Sequence, residues 1–402
     1  MHRQPDFLKN LQNELANGRL WVDRSIVLAY AIAAGLSVVA FTLLADWAFA
    51  QFERILHWQG GWAVLVWTPA CTAAIVWATR RFAPGAAGSG IPQVMAALDP
   101  AVDDTQRSRF VSLRLTVAKI VLGGAGFLAG LSIGREGPSV QVAAGVMQHA
   151  RRWLGPHSGI TGHGLLVAGG AAGIAAAFNA PLAGVVFAIE ELSRKLESRS
   201  SGLIITAIVL AGLMGVSAFG NRSYFGVIQV TRLGWDALLP GLMVVFTCGV
   251  LGGLFAKLMA ASLTGSPERM NRLRARFPVR FAAGGGLAIA VIGLVTGGAT
   301  FGAGSEAVKH MLEGHADVPS FYVTLKFIAT WLAAWCGVPG GIFAPSLSIG
   351  AGVGHNVSLL AGADIAPALI AMGMAAFLAA VTQAPLTAFI IVMEMVDGHA
   401  MV

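Results

Sequence analysis

The chain has 402 residues, of which 56% are hydrophobic and only 12% carry a formal charge. That charged share is about half of the ~25% found in an ordinary soluble domain, and a soluble fold could not cover so much apolar surface. The formal net charge of +7 is attributed to the ends of membrane spans rather than to nucleic-acid binding. Soluble globular, fibrous and disordered classes are therefore excluded, and the composition predicts a polytopic helical membrane protein that binds no nucleic acid.

The N-terminal segment 1–23 lacks the apolar core of a signal peptide. Its basic residues and the one that follows it are Arg3, Lys9, Arg19 and Arg24. Basic residues before a first span favour a cytoplasmic N-terminus. Two long apolar helices are predicted next, at 24–50 and 61–82.

Beyond residue 82 the apolar stretches become shorter and are broken by glycine and proline. The whole chain contains 51 Gly and 16 Pro. Some of this glycine allows helices to pack closely in lipid. Broken backbone at membrane depth, however, is tolerated only where it is buried in protein or lines a cavity, and broken helices mark the sites of many transporters. The pattern predicts half-helices around a transport site.

The two halves of the chain repeat each other. Gly-Arg-Glu-Gly-Pro-Ser at 134–139 matches Gly-Ile-Phe-Ala-Pro-Ser at 341–346, and Ala-Pro-Leu at 180–182 recurs at 384–386. Both matches occur in the same order at nearly the same spacing of about 205 residues. We therefore expect two homologous helical repeats, and in transporters the site lies where such repeats meet.

These repeats divide the chain into three parts. A cytoplasmic segment at 1–23 precedes a first membrane repeat at 24–220 and a second at 221–402. The first repeat continues past its Ala-Pro-Leu motif through another long apolar stretch at 202–219, whereas the second stops soon after its own copy. The second repeat is expected to lack its last helices.

Glu136 is the most informative single residue. An ionisable side chain at membrane depth is energetically expensive and indicates function. Gly134 and Gly137 expose backbone N–H groups, and Pro138 suits the first turn of a helix, whose N-terminus attracts anions. The motif predicts an anion site that contains a carboxylate, which fills the site when ionised and swings away with a proton when an anion arrives. The alternative is a structural glutamate paired with Arg135.

Glu190 and Glu191 end the apolar stretch that follows the first Ala-Pro-Leu motif. Adjacent residues on a helix differ by ~100° and cannot share a face. Glu190 has an equivalent in the second repeat, Glu394, whereas Glu191 corresponds to Met395. A feature of both repeats suggests architecture, so we predict that Glu191 is functional and Glu190 structural. Alternatively, both are interfacial charges paired with basic neighbours.

Two further motifs have the same glycine and proline pattern. In Gly-Ser-Gly-Ile-Pro at 88–92, the hydroxyl of Ser89 can donate to a halide or simply cap a helix. Gly-Ile-Phe-Ala-Pro at 341–345 has Phe343 where the first repeat has Glu136. Three half-helices aimed at one point would bind an anion without a full positive charge, which suits an ion that must also leave.

Lys119 lies within a predicted span. It either raises the electrostatic potential near the site or pairs within the protein.

The sequence gives little support to metal binding or to catalysis. The nine His and three Cys show no metal-ligand spacing, so neither a metal nor another cofactor is expected. No nucleophile–base pair is apparent, so an intramembrane enzyme is disfavoured, and a non-transporting scaffold is the remaining class.

The motifs at 88–92, 134–138 and 341–345, with the segment 180–191, together resemble the CLC family of chloride channels and chloride/proton antiporters. The likeness runs from about residue 24 to the end of the chain. It implies an all-α membrane protein of two inverted repeats, whose broken half-helices meet at a central anion site. It also implies a homodimer in the lipid bilayer with a separate pore in each subunit.

The resemblance also assigns roles to single residues. It implies that Ser89 coordinates the central anion, that Ile342 and Phe343 supply backbone donors, that Glu136 is the external gating glutamate and that Glu191 transfers protons on the inner side. The candidate anion-binding residues are Ser89, Gly90, Ile91, Arg135, Gly137, Ile342 and Phe343. Glu191 favours an antiporter over the alternative, a passive voltage- or pH-gated chloride channel. Ser89 favours chloride, with other halides open, over nitrate and over the fluoride-exporting branch.

The chain departs from the family pattern in one respect. The family closes its central site with a tyrosine from its last helix, and none of Tyr30, Tyr224 and Tyr322 falls at the matching position. No nucleotide-binding regulatory domain follows the second repeat, which favours a bacterial inner-membrane location.

Overall fold

The computed structural model describes most of the chain, and the regular structure in the described part is helical. The described ranges are 18–155, 158–193, 201–220, 234–265, 268–314, 318–319 and 321–396. Several residues used above lie outside these ranges, namely Arg3, Lys9 and Tyr224. The predicted boundary between the repeats lies at the edge of 221–233, which is also outside them, so the division into 1–23, 24–220 and 221–402 stays a prediction.

The described ranges contain seventeen α-helices, numbered α1 to α17 in chain order. The first nine are α1 (Gly18–His57), α2 (Val64–Phe82), α3 (Ile91–Leu98), α4 (Asp104–Arg107), α5 (Leu113–Leu128), α6 (Glu136–His149), α7 (Gly162–Ala177), α8 (Pro181–Phe187) and α9 (Ser201–Phe219). The other eight are α10 (Leu238–Thr264), α11 (Glu268–Arg276), α12 (Pro278–Val295), α13 (Ser305–Leu312), α14 (Tyr322–Cys336), α15 (Phe343–Ala361), α16 (Ala366–Thr382) and α17 (Pro385–Met395). A π-helical turn, Ala188–Leu192, continues α8. Short 3-10 turns occur at Trp58–Gly61, Pro84–Ala86, Ala150–Arg152, Trp235–Ala237 and Ala363–Ile365.

Helix α1 is longer than the predicted helix at 24–50. It begins at Gly18, inside the segment expected to precede the membrane, and ends at His57. Its 40 residues are about twice the ~20 needed to cross a hydrocarbon core. The prediction was wrong at both ends because apolar content marks only the part of a helix that lies in lipid. The second helix, α2, begins at Val64 and ends at Phe82, close to the predicted 61–82.

Only some of the helices are long enough to cross a membrane unaided. Within the described residues, the four that are long and apolar enough are α1, α9, α10 and α12. Several others are shorter and begin at a proline, as α8 does at Pro181 and α17 at Pro385. The helices therefore include the broken half-helices that the glycine and proline pattern predicted.

Small residues allow the central helices to touch backbone to backbone. A Cβ atom added to Gly173 of α7 would lie 2.6 Å from the Cα of Val140 in α6. In the second repeat, a Cβ on Gly354 of α15 would lie 2.6 Å from the Cα of Ile370 in α16. Each repeat thus packs its motif helix directly on the helix that follows, which is the packing expected of small-residue stripes in lipid.

Equivalent glycines of the two repeats pair with each other. The N–H of Gly134 donates to the carbonyl of Gly341, and the N–H of Gly341 donates to the carbonyl of Gly134, both at 2.7 Å. The pairing is antiparallel. A mutual exchange between equivalent residues places a local two-fold axis between the two motifs.

Helices α8 and α17 exchange carboxylate caps about the same symmetry. Glu394, near the end of α17, accepts two backbone N–H groups at the start of α8, and Glu190, just past the end of α8, accepts two at the start of α17. The donors are Leu182 and Ala183 for Glu394, at 3.1 and 2.6 Å, and Leu386 and Thr387 for Glu190, at 3.0 and 2.6 Å. Each carboxylate lies at the C-terminal end of one helix and caps the N-terminal end of the other, so the two helices run antiparallel. Equivalent helices that run in opposite directions belong to inverted repeats.

Candidate functional site

The three glycine and proline motifs meet at one place. A Cβ atom on Gly137 would lie 3.2 Å from the Cα of Gly341 and would collide with the hydroxyl of Ser89. A Cβ on Gly90 would lie 2.7 Å from the carbonyl oxygen of Gly137. Glycine is required at these positions because the backbones of the motifs approach so closely. The structure thus brings the predicted residues of 88–92, 134–138 and 341–345 together.

Each motif begins a helix at this meeting point. Gly90 precedes α3 with a φ of 107°, a left-handed conformation that favours glycine. Helix α6 begins at Glu136 and α15 at Phe343. The first N–H groups of a helix have no partner inside it, and the helix dipole adds partial positive charge there. The convergence of three such ends creates a setting for an anion.

The carboxylate of Glu136 lies against the start of α15. The residue is 0% exposed, and its Oε2 accepts a hydrogen bond from the backbone N–H of Ala344 at 3.4 Å. Its Oε1 is buried and makes no hydrogen bond to any residue in the described part of the chain. The glutamate of one repeat therefore lies on the helix N-terminus of the other, where an anion would compete with it for the same donor.

Arg135, next to Glu136, is directed toward helix α1. Its Nη1 lies 2.6 Å from Oδ1 of Asp46 in an ion pair. Both residues line a cavity of about 730 Å³, at the end of the bundle opposite the start of α1. The guanidinium therefore lines this cavity, and Arg135 is adjacent in sequence to Glu136, the candidate gating glutamate. The sequence offered no sign of the Asp46 contact.

Two hydroxyl groups near the meeting point have no partner within the described residues. The Oγ of Ser89 is buried and makes no hydrogen bond there, although it adjoins Gly137. The Oγ of Ser346, in the first turn of α15, is buried in the same way. Buried polar atoms usually have a partner, so an unsatisfied donor here fits a bound anion. Sequence reasoning missed Ser346 because the first repeat has Ser139 at the equivalent position, and a feature of both repeats suggests architecture. In the structure Ser139 donates to the carbonyl of Arg135, whereas Ser346 does not share that contact.

Two buried lysines hold the glycine loops. Each places its ammonium on two backbone carbonyl groups of the loop before a short helix. Lys119 donates to Ala86 at 2.9 Å and Gly88 at 2.6 Å, and Lys326 donates to Thr300 at 3.0 Å and Gly302 at 2.8 Å. The hydrogen bonds of Lys119 favour the second of its two interpretations, pairing within the protein, because its amine binds backbone carbonyl groups of the loop that carries Ser89. Sequence analysis missed Lys326, although it follows Lys119 at the same spacing of about 205 residues as the motifs.

Glu191 lies apart from the Glu136 cluster. It is partly buried in the π-helical turn Ala188–Leu192. One turn earlier, Phe187 places its ring edge-on to that of Phe343, with 6.4 Å between ring centroids. Glu191 is thus one helical turn beyond a residue in contact with the anion-site motif. Its neighbour Glu190 is committed to capping α17.

Comparison with known proteins identifies the group to which this arrangement belongs. Residues 71–402 match the family described as voltage gated chloride channel. The chain belongs to that family. A slow cyanobacterial Cl⁻/H⁺ antiporter is 25% identical, with a TM-score of 0.79 over 94% of this chain and 90% of that one. The resemblance predicted from the three motifs is confirmed.

Two more solved structures share the CLC fold. A CLC-type fluoride/proton antiporter is 22% identical, with a TM-score of 0.75 over 93% of each chain. A eukaryotic CLC transporter is also 22% identical, with a TM-score of 0.73 over 94% of this chain and 68% of that one. At these identities the likeness concerns the fold alone. It confirms the all-α architecture of inverted repeats in an integral membrane protein.

Proposed function

We propose that this CLC protein exchanges chloride for protons across a membrane. The observation that carries the proposal is the carboxylate of Glu136, buried against the backbone N–H of Ala344 at the start of α15. A carboxylate is itself an anion, so it occupies a place that chloride can take only when the carboxylate leaves. The similar cyanobacterial protein named as a Cl⁻/H⁺ antiporter supports the same function.

In this proposal chloride passes among the helix ends and the hydroxyl of Ser89. The backbone of Gly90, Ile91 and Gly137 lines one side and that of Ile342 and Phe343 the other. Partial charges of N–H groups and a hydroxyl bind the ion weakly enough for it to be released. Arg135 lines the cavity that it shares with Asp46, and its ion pair with Asp46 holds the guanidinium next to Glu136.

The proton path follows from the two glutamates. Glu136 alternates between plugging the anion site in its ionised form and carrying a proton toward the cavity beside Arg135. Glu191 passes protons to the other side of the membrane, which we infer to be cytoplasmic from the basic N-terminal segment. By resemblance, the working unit is a homodimer with a pore in each subunit, and we place it in a bacterial inner membrane.

Flux measurements in sealed liposomes test this proposal. The purified protein is reconstituted with a chloride gradient, and an electrode records the external pH while chloride flows. We expect chloride moving down its gradient to drive protons against theirs. Chloride flow without any proton signal would instead assign the protein to the passive chloride channels of the family.

Glu136→Ala provides the matching variant. Removing the carboxylate takes away both the plug and the proton carrier, so chloride flux should persist while proton movement falls to the level of empty liposomes. Glu53→Ala, a carboxylate in the same cavity, serves as the control and should leave coupling intact. Proton movement that survives Glu136→Ala would contradict the mechanism.

A further inference from the structure

A second cavity lies at the end of the bundle where α1 begins, away from Glu136. Its volume is about 780 Å³, and it is enclosed by the loop after α4, the start of α5 and the end of α6. Four arginines and a histidine contribute to its lining, and its lining residues include no carboxylate. These five are Arg107, Arg114, His149, Arg151 and Arg152. A concave surface with this charge selects an anionic occupant.

Backbone contacts orient two of the arginines. Arg107 donates through Nε to the carbonyl of Ala97 at 2.9 Å and through Nη2 to the carbonyl of Val102 at 3.2 Å. Arg114 donates through Nη2 to the carbonyl of Phe82 at 3.2 Å. A guanidinium has five N–H donors in a fixed plane, so these contacts set the orientation of that plane in both residues. The planar fork suits phosphate oxygens, which it can bind through two parallel hydrogen bonds.

The position of the cavity is that of a membrane surface. Helix α2 ends beside it at Phe82, preceded by Arg80 and Arg81, and basic residues at helix ends mark the boundary of the bilayer. Trp153, directly after the lining residue Arg152, is 61% exposed, and tryptophan favours the same boundary. The arginines therefore lie at the level of lipid headgroups.

An apolar stripe continues from the cavity along α5. Leu113 lines the cavity, and Val117 and Val121 follow it at intervals of four residues, which places all three on one helix face. All three side chains are exposed, with Val117 at 61%. A ligand whose charged group fills the cavity can thus lay an acyl chain along this face.

We propose that the arginine-lined cavity binds the phosphate headgroup of an anionic phospholipid, with an acyl chain along the exposed face of α5. A basic pocket at the membrane surface is the setting in which proteins hold such headgroups. The apolar stripe distinguishes a lipid from a soluble phosphate, because only the lipid uses both surfaces. The occupant adjoins the last turn of α6, the helix whose first residue is Glu136.

Native mass spectrometry of the full-length protein, released from detergent, tests the proposal. Phosphatidylglycerol is the anionic probe and phosphatidylcholine the neutral one. The test variant is Arg114→Gln/Arg152→Gln, and the control is Arg269→Gln/Arg272→Gln, which removes the same charge from α11, outside the cavity lining. Each basic residue near an anionic surface contributes roughly fivefold to binding. We expect phosphatidylglycerol binding to weaken by about 25-fold in the test variant and to stay unchanged in the control.

Three results would overturn the proposal. They are equal losses in both double variants, equal retention of phosphatidylcholine and phosphatidylglycerol by the unmodified protein, and displacement of the lipid by an equal concentration of inorganic phosphate. The last would assign the cavity to a soluble phosphate. Size-exclusion chromatography shows whether each variant is folded. The single variant Arg152→Gln repeats the test with an exposed residue and an expected loss of about fivefold.

Discussion

At some equivalent positions the two inverted repeats have the same charged residue, and at others they do not. The two kinds of position differ in what their side chains contact. Two pairs of charged residues are the same in both repeats, namely Lys119 with Lys326 and Glu190 with Glu394. The pairs that differ are Arg135 with Ile342, Glu136 with Phe343, and Glu191 with Met395. Each of these four charged side chains binds backbone groups. These shared residues therefore stabilise equivalent parts of the fold in each repeat through the same kind of contact.

The positions at which the repeats differ make the site asymmetric. One carboxylate, Glu136, faces the N-terminus of α15, whereas the ring of Phe343 at the equivalent position packs against Phe187. The arrangement is therefore symmetric in its backbone contacts but has a glutamate at this position in the first repeat only. The same comparison separates Glu190, which caps a helix, from the adjacent Glu191, which has no acidic equivalent in the second repeat.

The largest effect on stability is expected from removing the shared lysines. Lys119→Met leaves one buried and one partly buried carbonyl group without a donor, and Lys326→Met leaves two buried ones. An unsatisfied buried group costs about 1–3 kcal/mol, so each variant should lose roughly 2–6 kcal/mol of folding free energy. Size-exclusion chromatography after heating in detergent measures the temperature at which half of the protein remains monodisperse.

The control for this comparison is Lys257→Met, an exposed lysine on α10. It should behave as the unmodified protein does. This midpoint temperature should decrease by similar amounts in Lys119→Met and Lys326→Met. A large decrease in one variant with none in the other would contradict the equivalence of the two lysines.

A smaller effect is expected from the exchanged caps. Glu190→Gln and Glu394→Gln each keep one oxygen acceptor and set an NH₂ group against a backbone N–H donor. Loss of a helix cap typically costs about 1 kcal/mol, and both variants should lose this amount by the same heating assay. Proton coupling in liposomes should survive in both, and loss of coupling with full stability would contradict a structural role.

Breaking the ion pair between Arg135 and Asp46 tests a contact of the first repeat at a position where the repeats differ. Because Asp46 is largely exposed, Asp46→Asn should cost about 0.5 kcal/mol of stability. Releasing Arg135 should nevertheless change chloride flux, since this residue precedes Glu136. A double-mutant cycle with Glu136→Ala measures the coupling. The flux change should vanish in the Glu136→Ala background, and an undiminished change there would show that Asp46 acts independently of the gate.

The least effect on stability is expected for Glu191→Gln. Glutamine keeps the shape of the Glu191 side chain and one acceptor oxygen, so stability should change by no more than about 0.5 kcal/mol. Proton movement in the liposome assay should disappear while chloride flux continues. Together with Glu190→Gln, this gives two adjacent residues with opposite phenotypes. An unchanged proton signal would reduce Glu191 to a surface charge.

Sequence reasoning reached the membrane class, the repeats and the three motifs because these depend on composition and local pattern. Glycine at 137 and 341 is needed where backbones touch, and that need is visible as a motif. The ion pair of Asp46 with Arg135 was not predictable, since the partners are 89 residues apart and neither carries a local signature. Sequence reasoning also missed the full length of α1 and the existence of the arginine-lined cavity. Both features depend on where helices end relative to the membrane and to each other.

The exchange of hydrogen bonds between Gly134 and Gly341 has a consequence for biogenesis. The partners are separated by about 205 residues, so the strand-like contact between them cannot exist until the second repeat has been synthesised and inserted. Contacts between such distant positions form late, after local helices. During translation Glu136 therefore enters the membrane before its hydrogen-bond donor on α15 exists. The transport centre is among the last parts of the molecule to assemble.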